Sequence, residues 1–96
     1  MTRVEWSDEA VEALASLIRS HHLPADTRAR MRRSLQPLQR LPRLGVEIPR
    51  QGSELRFLVG PWRWLVVVYV YLVDEDRVVV VTVEDGRSAT ATTRTR

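Results

Sequence analysis

Residues 54–84 read ELRFLVGPWRWLVVVYVYLVDEDRVVVVTVE, and no other part of the chain constrains the architecture as strongly. The segment contains three runs rich in valine, leucine and aromatic residues, parted by Gly60-Pro61 and by Asp74-Glu75-Asp76. β-Branched and aromatic residues bounded by turn residues are typical of β-strands. Because connections this short cannot cross over a sheet, we expect the three strands to form an antiparallel meander.

The two turns predict where the arginines of this segment lie. A loop centred on Gly60-Pro61 places Arg56 opposite Leu65, and a loop over residues 74–76 places Arg63 opposite Arg87. Opposed residues share a face of a sheet, and faces alternate along each strand. We therefore expect Arg56, Arg63 and Arg87 to gather on one face, near one end of the sheet.

The same alternation predicts two apolar faces. One is expected to contact the helices through Phe57, Trp62 and Trp64. The other lacks enough helix to cover it, and an uncovered apolar face usually marks an interaction surface. Its expected apolar residues are Leu65, Val67, Val79, Val81 and Val83.

Two helices are predicted before the meander. Residues 2–6 indicate a short strand, Ser7 an N-cap, and residues 8–21 an amphipathic helix that Leu23-Pro24 ends. A second helix follows Asp26, which can cap it, and either kinks at Pro37 or ends near Gln36. The order β-α-α-β-β-β predicts a two-layer α+β domain over residues 1–87, with two helices packed on an antiparallel sheet. Residues 88–96 are expected to be a mobile polar tail.

The composition limits the chemistry and the location. The chain has 96 residues and a formal net charge of +3, and all its basic residues are arginine, which suits bidentate contact with phosphate. The absence of cysteine excludes thiolate catalysis and cysteine-ligated metal. We expect neither a metal site nor a cofactor. The longest apolar run, residues 64–73, is far below the ~20 residues of a membrane span, and we expect a soluble cytoplasmic protein.

Several side chains have two readings. His21 and His22 could act as bases, but a histidine at a helix C-terminus is commonly a solvated residue that the dipole stabilises. Tyr69 and Tyr71 could stack on bases or pack inside the sheet. The second helix carries arginines that could bind RNA phosphates or simply form a solvated face. The expected RNA-binding residues there are Arg28, Arg32 and Arg33.

The chain resembles the RelE/ParE superfamily of bacterial type II toxin–antitoxin systems. The opening VEWSDEAVEALASLI is similar to the family's short strand and first helix, and LPRLG precedes a loop. LRFLVGPWRWLVVVYVY is similar to its Gly-aromatic-Arg strand with a Tyr-bearing run. VVVVTVEDGRS resembles its last core strand, which ends in a Gly-Arg or related basic pair. The resemblance extends over nearly all of the chain up to Arg87.

The resemblance implies a growth-inhibiting toxin with a cognate acidic antitoxin. In the RNA-cleaving branch, which acts on mRNA in the ribosome, the family's basic site residues fall at Arg56, Arg63 and Arg87. The chain would then be a metal-independent endoribonuclease that blocks translation. The alternatives are a ParE-like inhibitor of DNA gyrase and a non-toxic interaction module. The tail after Arg87 lacks the Tyr or His of many RNA-cleaving members, which favours the gyrase alternative.

Overall fold

The computed structural model describes residues 1–49 and 54–87. These residues form one layer of two helices on one layer of sheet, which confirms the predicted α+β architecture. The tail expected over residues 88–96 lies outside the described residues. No helix within 1–49 and 54–87 combines the length and apolarity of a membrane span. The elements are β1 (Arg3–Trp6), α1 (Asp8–His21), α2 (Thr27–Leu35), a 3-10 helix (Gln36–Gln39), β2 (Val46–Glu47), β3 (Leu55–Val59), β4 (Leu65–Leu72), a 3-10 helix (Val73–Glu75) and β5 (Arg77–Asp85).

The five strands form one sheet in the order β1-β5-β4-β3-β2. The predicted meander of β3, β4 and β5 is present, with antiparallel pairing between neighbours. The structure adds the two-residue strand β2 at one edge and pairs β1 in parallel with β5, with Trp6 opposite Val80. The sheet is therefore mostly antiparallel rather than wholly so, and β5 lies inside it.

Helix α1 covers residues 8–21, as its apolar spacing predicts. The Ser7 hydroxyl accepts a hydrogen bond from the Ala10 amide at 3.0 Å, and its own proton goes to the carbonyl of Val81 at 3.1 Å. Ser7 therefore caps the helix and also ties its first turn to β5. The helix ends where His22 adopts the left-handed conformation with φ 53°, and its amide binds the carbonyl of Ile18.

Helix α2 ends one residue before the predicted boundary. Among the described residues, the Asp26 carboxylate does not cap the helix but binds Nε of Arg30 at 3.0 Å. Pro37 has no amide proton to continue the α-helical pattern, and the chain tightens into a 3-10 helix instead. The inward residues of this segment are fully buried or nearly so, and they are Met31, Leu35 and Leu38.

The helices cover the face of the sheet that we expected to be uncovered. Leu65 and Val67 of β4 are 0% exposed and pack with the helix residues Leu14, Met31 and Leu35. Trp62 and Trp64 also pack against this core, but from the loop before β4. The predicted assignment of faces was wrong because only burial, and not periodicity, distinguishes one apolar face from another. The remaining core residues on the sheet are Tyr69, Val78, Val80 and Val83.

The β3–β4 connection is longer than the predicted tight turn. Val59 pairs with Val66, so residues 60–64 form the loop, and Arg56 lies opposite Tyr69 rather than Leu65. The shift is an even number of residues, which preserves the faces but moves Arg56 along the sheet. The predicted pairing of Arg56 with Leu65 was therefore wrong.

A β-bulge in the β4–β5 pair changes the phase of β5. Tyr69 pairs with Val80 and Val68 with Thr82, so Val81 is the extra residue. Before the bulge Val78 and Val80 face the helices, and after it the odd-numbered residue Val83 does so. The predicted loop over residues 74–76 would place Tyr69 opposite Val81, which is wrong by one residue. The bulge turns Asp85 towards the helix layer.

Candidate functional site

Three aromatic rings stack at the end of the sheet where β4 begins and β5 ends. The indoles of Trp62 and Trp64 lie 6.0 Å apart between centroids and 18° from parallel. The His21 imidazole also stacks on Trp64, at 4.7 Å between centroids and 10° from parallel. The 60–64 loop supplies the two indoles and the last turn of α1 supplies the imidazole. We call this set, His21, Trp62 and Trp64, the aromatic stack.

Asp85 connects this stack to an arginine. Its carboxylate accepts hydrogen bonds from the backbone amide of Arg87 at 2.9 Å, from Nε at 3.2 Å and from Nη2 at 3.1 Å. The second oxygen lies 3.0 Å from Nε2 of His21. The hydrogen bonds from the Arg87 side chain are the largest cause that holds the pKa of Asp85 far below its ordinary value, and His21 adds to the effect. Asp85 is therefore an anion across the physiological range.

The imidazole of His21 has a partner at each nitrogen. Nε2 faces the Asp85 carboxylate, and Nδ1 lies 3.0 Å from the hydroxyl of Ser20 on the helix surface. A carboxylate only accepts hydrogen bonds, so Nε2 carries the proton in the neutral ring and Nδ1 has the free lone pair. The His21 side chain is 28% exposed and that of Asp85 is 14% exposed. The pair is thus sheltered but reachable from solvent.

Two arginines lie over rings of the aromatic stack, and a third, Arg63, belongs to the same loop as its tryptophans. The guanidinium carbon of Arg87 lies 5.3 Å from the centre of the Trp64 ring, and that of Arg30 lies 5.7 Å from the Trp62 ring. Arg63 is an exposed loop residue between the two tryptophans in sequence. The Arg87 side chain is 67% exposed despite its contact with Asp85. Positive charge therefore lies beside aromatic faces at an accessible end of the sheet.

Arg56 lies elsewhere, contrary to our expectation of three gathered arginines. It is opposite Tyr69, four residues along β4 from Leu65, which corresponds to about 13 Å of strand. Its Nη1 donates to the carbonyls of Arg43 at 3.1 Å and Gly45 at 2.9 Å, and Nη2 binds Glu47 at 3.1 Å. These contacts hold the chain segment before β2. The spatial part of the prediction was wrong for Arg56, because the β3–β4 loop is longer than the sequence suggested.

The arginines of α2 are exposed, as expected of a helix surface. Arg28 and Arg32 border a groove of about 190 Å³ whose floor is formed by Trp6 and Leu14. Arg32 and Arg33 border a second groove of about 400 Å³ on the other side of Trp6. Phosphate binding by Arg28, Arg32 and Arg33 stays a prediction.

Two tyrosines of β4 serve the structure. Tyr69 is 0% exposed, and its hydroxyl accepts a hydrogen bond from the Gly45 amide and donates one to the Pro42 carbonyl, both at 2.8 Å. Burial is the main cause that raises the pKa of Tyr69. Tyr71 donates to Asp76 at 3.0 Å. Of these two rings, Tyr69 is inaccessible to a stacking base.

The contact between His21 and Asp85 is the feature that sequence reasoning missed. Helical spacing places His21 at the end of α1, but it does not indicate which strand that end faces. The bulge at Val81, which turns Asp85 towards α1, has no glycine or proline to mark it in the sequence. Within residues 1–49 and 54–87, no group of three or more histidine or acidic side chains could hold a metal ion.

Comparison with solved structures identifies the fold. The intact RelBE toxin–antitoxin complex of E. coli contains a chain that matches with a TM-score of 0.64 and 14% identity, over 88% of this chain and 96% of that one. A chain of the chromosomal ParDE system of P. aeruginosa matches with a TM-score of 0.66 and 12% identity, over 88% and 96%. The RelBE2 complex of Mycobacterium tuberculosis matches with a TM-score of 0.62 and 19% identity, over 88% and 90%. No protein-family model and no curated protein sequence matches the chain. The chain has the fold that RelE and ParE proteins share.

Proposed function

We propose that this protein is the toxin of a bacterial type II toxin–antitoxin pair and blocks translation by cleaving mRNA on the ribosome. The shared fold with RelE- and ParE-containing structures supports a toxin role. The observation that carries the RNA-directed reading is the accessible end of the sheet, where Arg87 lies beside the aromatic stack and the His21–Asp85 pair. Arg63 is an exposed residue of the loop that supplies the two indoles. Cleavage of RNA by 2′-hydroxyl attack needs a base, an acid and cations that stabilise the phosphate, while aromatic rings can stack on the bases of the RNA.

Arg87 is the first candidate for the scissile phosphate. Its guanidinium has five N–H donors, and the Asp85 carboxylate accepts hydrogen bonds from Nε and from Nη2. Both protons of Nη1 remain directed away from that carboxylate. Guanidinium groups stay protonated and stabilise the negative charge that a phosphate gains during attack. Arg87, with Arg63 from the neighbouring loop, would therefore supply electrostatic stabilisation rather than proton transfer.

The other arginines have different proposed roles. Arg56 binds two backbone carbonyls and Glu47, so its proposed role is to hold the chain segment before β2 rather than to touch the phosphate. Arg28, Arg32 and Arg33 project from α2, where exposed positive charge would bind RNA phosphates without sequence preference.

An acidic antitoxin is the proposed protein partner. The two grooves beside Trp6 have apolar floors and arginine rims, which suits an amphipathic segment with acidic flanks. The known complexes to which this chain is similar each pair a toxin with an antitoxin. Both partners and the mRNA target belong to the cytoplasm, which is where we place the protein.

Inhibition of DNA gyrase is the second candidate, and one contact favours it. The Asp85 carboxylate pairs with two nitrogens of Arg87, and a neutralised arginine is less available for a phosphate. The similarity to the ParDE structure is equal in quality to the RelBE similarities. In this candidate the arginines would form an electrostatic binding surface and perform no chemistry.

Induced expression with separate pulse labelling of protein and DNA synthesis tests the proposal. We expect amino-acid incorporation to collapse first, and the double variant Arg63→Ala/Arg87→Ala to restore it. Arg40→Ala, which removes an equally exposed arginine away from the stack, is the matched control and should remain toxic. Loss of thymidine incorporation before any loss of protein synthesis would instead support the gyrase candidate.

A further inference from the structure

We infer that His21, oriented by Asp85, is the group that removes the proton from the attacking 2′-hydroxyl of the RNA. This assignment rests on the proposed cleavage of mRNA. It follows from a juxtaposition that neither α1 nor β5 indicates alone. The end of α1 brings an imidazole to 3.0 Å from a sheltered carboxylate, beside the arginine that is proposed to bind the phosphate.

The geometry fixes the orientation of the ring. Trp64 lies flat against one face of the imidazole, at 4.7 Å between centroids. Asp85 accepts the Nε2 proton, and its own position is set by three hydrogen bonds from Arg87. The lone pair of Nδ1 points instead to the exposed hydroxyl of Ser20. A substrate hydroxyl can take the place of this serine, because Ser20 lies at the surface and has a carbonyl of its own helix as a second partner.

The other candidate side chains that the sequence offers within residues 1–49 and 54–87 are poorly suited to removing this proton. Arginine remains protonated and lacks a lone pair, which excludes Arg63 and Arg87 as bases. Tyr69 is buried and has two hydrogen-bond partners, and Tyr71 donates to Asp76. Asp85 is an anion, but its oxygens are engaged by Arg87 and His21. Histidine is the side chain that exchanges protons most readily near neutral pH.

The proposed step balances as an internal transesterification. Nδ1 of His21 takes the proton of the 2′-hydroxyl, and the 2′-oxygen forms a bond to phosphorus. The bond between phosphorus and the 5′-oxygen breaks, and that oxygen takes a proton from water. The imidazolium returns its proton to the resulting hydroxide. The products are a 2′,3′-cyclic phosphate and a 5′-hydroxyl, with no net change in oxidation or in protons.

Groups from three elements surround the imidazole of His21. Among residues 1–49 and 54–87, the charged groups that hydrogen bonds connect to the ring come from the end of β5, and they are Asp85 and, through it, Arg87. The loop before β4 contributes the uncharged indole of Trp64, and α1 itself contributes the Ser20 hydroxyl. This is the arrangement of a base whose orientation a second residue sets.

Single-turnover cleavage of a short mRNA on programmed ribosomes tests the assignment. His21→Gln keeps a donor that can face Asp85 but cannot act as a base, and we expect a 10²–10⁴-fold slower step with an unchanged half-saturating ribosome concentration. The wild-type rate should fall at acidic pH, where an imidazole base is protonated, and this dependence should vanish in the variant. His22→Asn is the matched control, since residue 22 has φ 53°, a conformation that asparagine also adopts. Asp85→Asn, a change in the positioning residue, should slow the step without weakening ribosome binding.

Each outcome supports or overturns the assignment. His21→Gly leaves an open space on Trp64 that free imidazole can enter. Recovery of mRNA cleavage by this variant on addition of imidazole would support the assignment of His21 as the base, even if other variants were less stable. A His21→Gln protein that cleaves at the wild-type rate, with the wild-type pH dependence, would overturn the role of His21 and leave the proposed function standing. A wild-type protein that leaves ribosome-bound mRNA intact would overturn both.

Discussion

Tyr69→Phe removes one hydroxyl from the centre of the core. That hydroxyl links β4 to the 42–45 segment, because it donates to the Pro42 carbonyl and accepts from the buried Gly45 amide, each at 2.8 Å. Each bond contributes roughly 0.5–1.5 kcal/mol net, and a buried donor left without a partner costs about 1–3 kcal/mol. The expected loss in the free energy of unfolding is about 2 kcal/mol. The cost of the unpaired amide is not added to the cost of the two lost bonds, because both describe the same lost interaction. For a domain of this size, the melting temperature should fall by roughly 8–16 °C.

Urea unfolding followed by circular dichroism measures this loss. The midpoint should shift while the slope with denaturant stays constant, because the variant exposes the same surface on unfolding. Tyr71→Phe is the matched control, since its hydroxyl binds Asp76 at the exposed turn before β5 and should contribute a small fraction of the Tyr69 effect. Equal stability of Tyr69→Phe and the parent protein would refute the role of the buried hydroxyl, and an equal loss in both variants would refute its specificity.

Three further stability measurements follow from the same contacts. Burial raises the pKa of Tyr69, so the folded protein should lose stability as pH rises above about 10, where the unfolded phenol ionises first, and Tyr69→Phe should abolish that loss in alkaline denaturation curves. The pKa of Asp85 is lowered, so its stabilising effect is present above the ordinary value of 3.8 and declines as pH falls below it; Asp85→Asn should flatten the acid limb of the stability curve. Gly45→Ala would place a methyl group 2.7 Å from Cε1 of Tyr69 and 2.8 Å from the Phe57 carbonyl, and thermal unfolding should show a loss of about 1–3 kcal/mol.

The helices and the meander could be predicted because their signals are local. Ser7 caps α1 as its position before an acidic first turn suggests, and Pro37 ends the α-helical part of the second helix. The three apolar runs become β3, β4 and β5 because their turn residues leave no room for a crossover. Local rules of capping and proline geometry operate whatever the tertiary environment is.

The register and the faces could not be predicted, because they depend on contacts between distant parts of the chain. Trp62 and Trp64 pack against the core, which draws residues 60–64 into a longer loop and moves Arg56 to Tyr69. The bulge at Val81 has no sequence marker, since valine is an ordinary strand residue. Without it Glu84, and not Asp85, would face α1. The His21–Asp85 pair was therefore beyond sequence periodicity.

Primer-extension mapping of a defined mRNA, incubated with the purified protein in the presence and absence of ribosomes, tests the proposed function most directly. We expect cuts within the coding sequence only when ribosomes are present, with the rate reduced by about 10²–10³-fold in Arg87→Ala, since removal of one donor to the developing charge has an effect of that order. Intact mRNA under these conditions, together with inhibition of gyrase supercoiling by the same preparation, would contradict the proposal.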